Sequence, residues 1–195
     1  KNRFGATNEV AIFEMIDAGL REVENPSAAL LAERTNTDGS VILATLEGNR
    51  PLLVEIQALA TRSNYGYPKR TASGFDLNRL NLLIAVLERR TKLRLSEQDI
   101  FVNVVGGIKL NDSAADLAVC MAIASAVAGR KLDDGYVVFG EVGLGGEIRS
   151  AFRSDQRIAE AKKLGFLHAI GPASVHDKFV IPAKDLRETL IRYVK

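Results

Sequence analysis

Residues 113–128 limit the fold of this chain more than any other stretch. They read SAADLAVCMAIASAVA, rich in helix formers, and no face of the resulting helix is polar. A helix that is apolar all round has to be covered on most sides, so it belongs at the centre of a layered domain. Hydrophobic residues make up 47% of the 195, enough for a sizeable core. Aromatics are only 6% and Trp is absent, so that core is aliphatic.

The elements around this helix follow from periodicity and punctuation. Val10, Ile12 and Phe13 give a strand-like run, Asp17-Ala18-Gly19 a turn, and residues 20–23 a second short strand. Asn25-Pro26-Ser27 breaks the pattern, and residues 28–33 form a weak helical patch before a polar stretch ending at Asp38-Gly39. That stretch marks the domain boundary, at about residue 35. Residues 40–46 and 52–60 are β-rich runs around hairpin-type punctuation, and residues 62–73 read as an irregular loop. A helix is expected over about 75–90, with Leu77, Leu80, Ile84 and Leu87 on one face and Ser73 and Asp76 at capping-box spacing. Residues 100–105 and 136–139 are strand-like, as are Ile148 and Ala169-Ile170; residues 154–164 and 185–194 complete the helices. The order implies an α/β fold with a mixed sheet and packed helices.

Several chemistries are disfavoured. Cys120, the sole cysteine, forbids an internal disulfide, fits a reducing, cytoplasmic compartment, and reads as a buried, inert thiol. No apolar run is long enough for a membrane span, and the first residues are not followed by a signal-like region. A start without Met reads as a piece of something longer. His168, His176 and one cysteine do not complete a metal-ligand set, so no metal is expected. Gly143-Leu144-Gly145-Gly146 lacks the third glycine of a dinucleotide fingerprint, and no phosphate loop occurs. Ser113 stands at capping-box spacing from Asp116, and a helix cap is the favoured reading over a nucleophile. The net charge of +2, from 26 basic and 24 acidic residues, neither demands nor excludes nucleic acid.

Residues 99–128, followed by Gly140-Glu141-Val142-Gly143-Leu144-Gly145-Gly146-Glu147-Ile148, resemble the proteolytic domain of the Lon family. In that family a D-G-P-S-A-G segment carries the nucleophilic serine at the start of the matching helix, and a lysine after the G-E motif is the general base. Alignment on Glu141 puts Ala114 at the serine position, alignment on Asp99 puts Ala115 there, and the lysine position falls on Asp155. The resemblance therefore implies a Lon-like fold with a vacant dyad, and no catalytic residue.

A second resemblance covers essentially the whole chain. Lys1-Asn2-Arg3-Phe4-Gly5 matches the K-N-R-F-G motif of the RadA family of bacterial DNA-repair proteins. Gly19-Leu20-Arg21-Glu22-Val23, Val104-Val105-Gly106-Gly107, Ala115-Asp116-Leu117-Ala118 and Phe139-Gly140-Glu141-Val142-Gly143-Leu144 match it as well. The family implies residues 1–35 as the tail of a RecA-like ATPase domain plus a linker, and residues 36–195 as a Lon protease-like domain. It implies an ATP-driven branch-migration motor of homologous recombination, with ATP, magnesium and a zinc finger upstream and no cofactor in this fragment. Lys1 and Arg3 would couple ATP state to DNA engagement through phosphate contacts.

Two roles are then expected of the Lon-like part: building a hexameric homo-oligomeric ring, and holding single-stranded, duplex or branched DNA. Arg62, Lys69, Arg70 and Arg79, interleaved with Tyr65 and Tyr67, are the candidate DNA contacts. An active serine–lysine peptidase using Ser113, and a ring scaffold that touches no DNA, are the competing readings.

Overall fold

The computed structural model describes residues 13–16, 19–23, 25–64 and 66–194. At its centre, β3 (Ser40–Glu47) and β4 (Arg50–Arg62) form the expected hairpin, in antiparallel register from Ser40↔Gln57 to Glu47↔Arg50. β6 (Gln98–Val104) pairs antiparallel to β4, and β5 (Arg70–Ser73) lies parallel to β6 at the edge. Beyond β3 the sheet continues through β7 (Tyr136–Val138), β10 (His168–Pro172) and β11 (Val180–Ala183), each pairing parallel. The sheet order is thus β11-β10-β7-β3-β4-β6-β5, mixed as expected. Two small hairpins stand apart from it: β1 (Phe13–Ile16) with β2 (Gly19–Glu22), and β8 (Glu141–Val142) with β9 (Ile148–Arg149).

The alanine-rich segment forms α3 (Ala115–Ala128), in which every residue from Ala115 to Ser125 is buried. It packs on β3 and β4 beside α2 (Leu77–Thr91) and α5 (Leu186–Tyr193). Small side chains let its backbone approach the sheet closely, and its two polar residues are both satisfied. Asp116 is bonded near the first turn, and Ser125 Oγ accepts from Gly39 N at 2.8 Å near the last. Gly39 has a left-handed φ of +79°, and a side chain there would strike the Ala58 carbonyl oxygen. α1 (Pro26–Leu31) and α4 (Ser154–Lys163) also pack on β4 and are joined by a Ser27 Oγ–Glu160 bond of 2.7 Å. α1 precedes the expected boundary near residue 35, yet Ser27 is fully buried and also accepts from Leu53 N.

Four local expectations need correction. Residues 70–73, read as loop, are strand β5, a short segment whose signal comes from pairing with β6 and not from its own composition. β11 was not foreseen because Pro182 breaks its pattern; proline is tolerated there because β11 is an edge strand. Asp76, not Ser73, caps α2, accepting from Arg79 N at 2.7 Å. Leu77 is 45% exposed, while Leu83 and Val86 join Leu80, Ile84 and Leu87 in the core. Among the described residues no helix is long and apolar enough to cross a membrane.

Candidate functional site

The start of α3 is held by two ion pairs, one on each side. Asp112, in the loop before the helix, accepts from Arg157 Nη1 at 2.6 Å and Nη2 at 3.1 Å. It also accepts from Thr45 Oγ1 at 2.9 Å, Leu46 N at 3.2 Å and Ala114 N at 3.1 Å. Arg157 comes from α4, is only 1% exposed, and spends its remaining donors on the carbonyls of Ala44 and Phe152. Burial pushes the Asp112 carboxyl up, but the Arg157, Thr45 and Ala114 donors together hold it below the usual carboxylate range.

Asp116, one helical turn further on, is 1% exposed. It takes a fork from Arg79, with Nε at 3.0 Å and Nη2 closer still, and accepts from Val142 N at 3.1 Å. Burial is the largest influence on Asp116 and raises its pKa; Arg79 and the Val142 amide only partly offset it. Backbone bonds close the same region: Gly140 N donates to Ala114 O at 2.8 Å, and Leu117 N donates to Gly140 O at 3.0 Å.

Each residue expected at a site can now be placed. Ala114 and Ala115 are buried at the helix start, and neither side chain can act as a nucleophile. Ser113 is exposed and does not supply the cap expected of it: no side chain caps α3, whose N-cap position is Ala114, and Asp112 accepts from Ala114 N in the preceding loop. Asp155 is exposed on the first turn of α4. Arg62 lies at the end of β4, exposed, and Lys69, just before the edge strand β5 and separated from β4 by β6, is exposed with its backbone amide bonded to Asp99 at 2.7 Å.

The other two cations depart from expectation. Arg79 does not extend a basic strip: its guanidinium turns inward to Asp116 and the Val142 carbonyl, because a buried carboxylate is the stronger attraction. Arg70 spends its guanidinium on the carbonyls of Leu95, Gln98 and Lys69, and burial lowers its pKa despite Glu88 and Asp99. Tyr67 is 87% exposed. Lys1, Asn2, Arg3, Phe4, Gly5 and Tyr65 lie outside the described residues.

The Asp112–Arg157 pair escaped the sequence reading. Its signal is an arginine sharing the inward face of a helix with Ile158 and Ala161, a position that only a paired guanidinium can occupy.

Comparison with known proteins bears on this region and on the whole chain. Residues 79–174, carrying both ion pairs, match the family model described as subunit ChlI of Mg-chelatase. Over 97% of its length the chain is 44% identical to "DNA repair protein RadA" of Aquifex aeolicus. Identity is 51% over 89% of the chain to the protein of the same name from Escherichia coli, and 49% over 93% to that from Bacillus subtilis. The chain belongs to the RadA family. It spans 44%, 38% and 40% of those three relatives, less than half of each. The match to RadA proteins runs through the described hairpins, the central sheet and α3 alike.

Proposed function

We propose that this chain is the non-proteolytic, Lon-like module of a bacterial DNA repair protein, a module that holds DNA and helps close a six-membered ring. Its likeness over nearly its whole length to proteins named DNA repair protein RadA carries the proposal. In this reading residues 1–35 complete a RecA-like ATPase whose ATP, magnesium and zinc finger belong to preceding polypeptide, and ATP turnover drives branch migration in the cytoplasm.

The geometry at α3 supports the absence of peptidase chemistry. Serine–lysine catalysis needs a hydroxyl with an amine base within hydrogen-bond reach. Here the serine position is a buried alanine in either register, and the lysine position is an exposed carboxylate. The two guanidiniums at the helix start, Arg79 and Arg157, carry only donors, which are engaged by Asp116 and Asp112, and offer no base. What such a site would have invested in catalysis is invested in rigidity, with α2, α4 and β8 tied to one helix end.

DNA contact in this reading is phosphate neutralisation, independent of base sequence. Arg62 and Lys69 are exposed cations suited to it, whereas the guanidiniums of Arg70 and Arg79 are engaged within the fold. The experiment is binding of labelled DNA by the purified chain beside a peptidase assay. Bound DNA without peptide turnover supports the proposal; turnover abolished by Ser113→Ala overturns it.

A further inference from the structure

Residues 89–94 read RRTKLR, a run of cations without an acid in a chain whose net charge is only +2. They close α2 and lead the chain towards β6. Arg89 and Arg90 lie in the last helical turn, where cations complement the helix dipole, and the Arg90 guanidinium reaches the Leu144 carbonyl at 3.4 Å. Lys92 and Arg94 have no such reason to be basic. Lys92 caps the helix with a left-handed φ of 67°, where glycine would avoid the strain that a lysine accepts. Arg94 follows two residues later and is exposed.

Arg94 shares a cleft with a cation from a distant part of the chain. Side chains alternate along β4, so Arg62 points to the same face as Ala60, the face that carries α3. Arg62 and Arg94 together line a cleft of about 290 Å³ with Ala60 and, from α3, Ala126 and Val127. Neither guanidinium has a hydrogen-bond or ion-pair partner among the described residues. Arg34, Arg79, Arg149 and Arg157, by contrast, are each held by a carboxylate. Glu97 also lines the cleft but forms no ion pair with either arginine, and Glu88 is turned to the Leu95 amide at 3.1 Å. Two like charges lining one cleft repel each other, and an anion placed between them turns that repulsion into attraction.

We infer that this cleft holds the sugar–phosphate backbone of DNA, with Arg62 and Arg94 on phosphates and the small apolar side chains of Ala60, Ala126 and Val127 beneath the sugar. The inference rests on the reading of the chain as DNA-binding, and adds to it a defined site on the α3 side of the sheet and a second arginine. At about 290 Å³ the cleft lies at the lower limit of pockets that enclose a whole small ligand, about 300 Å³, and suits one unit of a polymer passing through it. Guanidiniums match phosphate oxygens in charge and in fork geometry, and such contacts carry no base sequence. Lys69 lies at the same end of the sheet, since its amide is bonded to Asp99, the ladder partner of Thr61.

The test is anisotropy of a labelled oligonucleotide titrated with the purified chain at several salt concentrations. Arg62→Ala and Arg94→Ala should each lower the salt slope by about 1, and the double substitution by about 2. Both side chains are exposed and unpaired among the described residues, so thermal unfolding should not change. Glu97→Gln should tighten binding, a gain that loss of structure cannot mimic. Lys163→Ala removes the same charge from the last turn of α4, which lines no part of the cleft, and should leave the slope unaltered. DNA bound with the parent slope by both arginine variants would overturn the site and leave the DNA-binding reading standing. An equal fall in slope for Lys163→Ala would overturn the site too, by showing a response to net charge alone. Displacement of the oligonucleotide by thymidine monophosphate at equal nucleotide concentration would assign the cleft to a small ligand and overturn the inference. No DNA binding by the unaltered chain would overturn the inference together with the reading beneath it.

Discussion

At the scale of single residues, the charges that matter are the buried ones, and they oppose each other in acid. Arg157 is almost wholly enclosed and Asp112 mostly so, which makes their pair costly to break from one side. Arg157→Ala should destabilise the chain by about 3–5 kcal/mol, measured by urea unfolding, because it strands a desolvated carboxylate. Asp112 binds its proton more weakly folded than unfolded, so its stabilisation is complete above the ordinary carboxylate pKa of about 3.9 and is lost as pH falls through the lower folded value. Asp116 runs the other way: its raised folded pKa means its charge costs stability at neutral pH, a cost relieved as pH falls through that value. Urea midpoints followed through the acid range should therefore fall less steeply for Asp112→Asn than for the parent chain. For Asp116→Asn they should fall more steeply. Equal acid slopes in all three would show that neither carboxylate is perturbed by its surroundings.

At the scale of elements, the long periodic segments were legible and the short ones were not. α2, α3 and the β3–β4 hairpin follow from their own residues, because their apolar spacing and punctuation are local. β5 and β11 exist through neighbours, one paired to β6 and the other an edge strand containing Pro182, so no local pattern announces them. The candidate site divides in the same way. The buried alanines at the start of α3 could be located by counting, but the inward turns of Arg79 and Arg70 depend on carboxylate and carbonyl groups brought from distant segments. α3 itself yields a sharp test. Ala118 and Ala122 are fully buried, and α3 lies directly on β3 and β4. Ala118→Leu or Ala122→Leu should cost about 1–3 kcal/mol in chemical denaturation, since close packing leaves no room for a larger side chain. A neutral effect would mean that the layer between helix and sheet is loosely filled.

At the scale of the whole molecule, the proposal is of a Lon-like module that performs no peptidase chemistry and is retained for what its surfaces hold. Even Ala114→Ser should produce no peptidase activity, because Asp155 offers no amine base and Asp112 keeps Arg157 engaged. Incubation with fluorogenic peptides is the check. In the full-length protein, Lys1→Ala should uncouple ATP turnover from branch migration without altering the stability of the region from Ser40 onward; unimpaired branch migration would refute the role given to the K-N-R-F-G motif. Light scattering over a concentration series should show association towards a hexamer, and a strict monomer would assign the ring contacts to the ATPase part. The claim on which all of this depends is that the chain holds DNA, and the most direct measurement is its affinity for a labelled DNA as salt is raised. The account predicts binding at low salt whose logarithm falls linearly with the logarithm of salt concentration, with a slope smaller by about 1 in Arg62→Ala and in Lys69→Ala. No binding even at low salt, or binding indifferent to salt and to both substitutions, would contradict it.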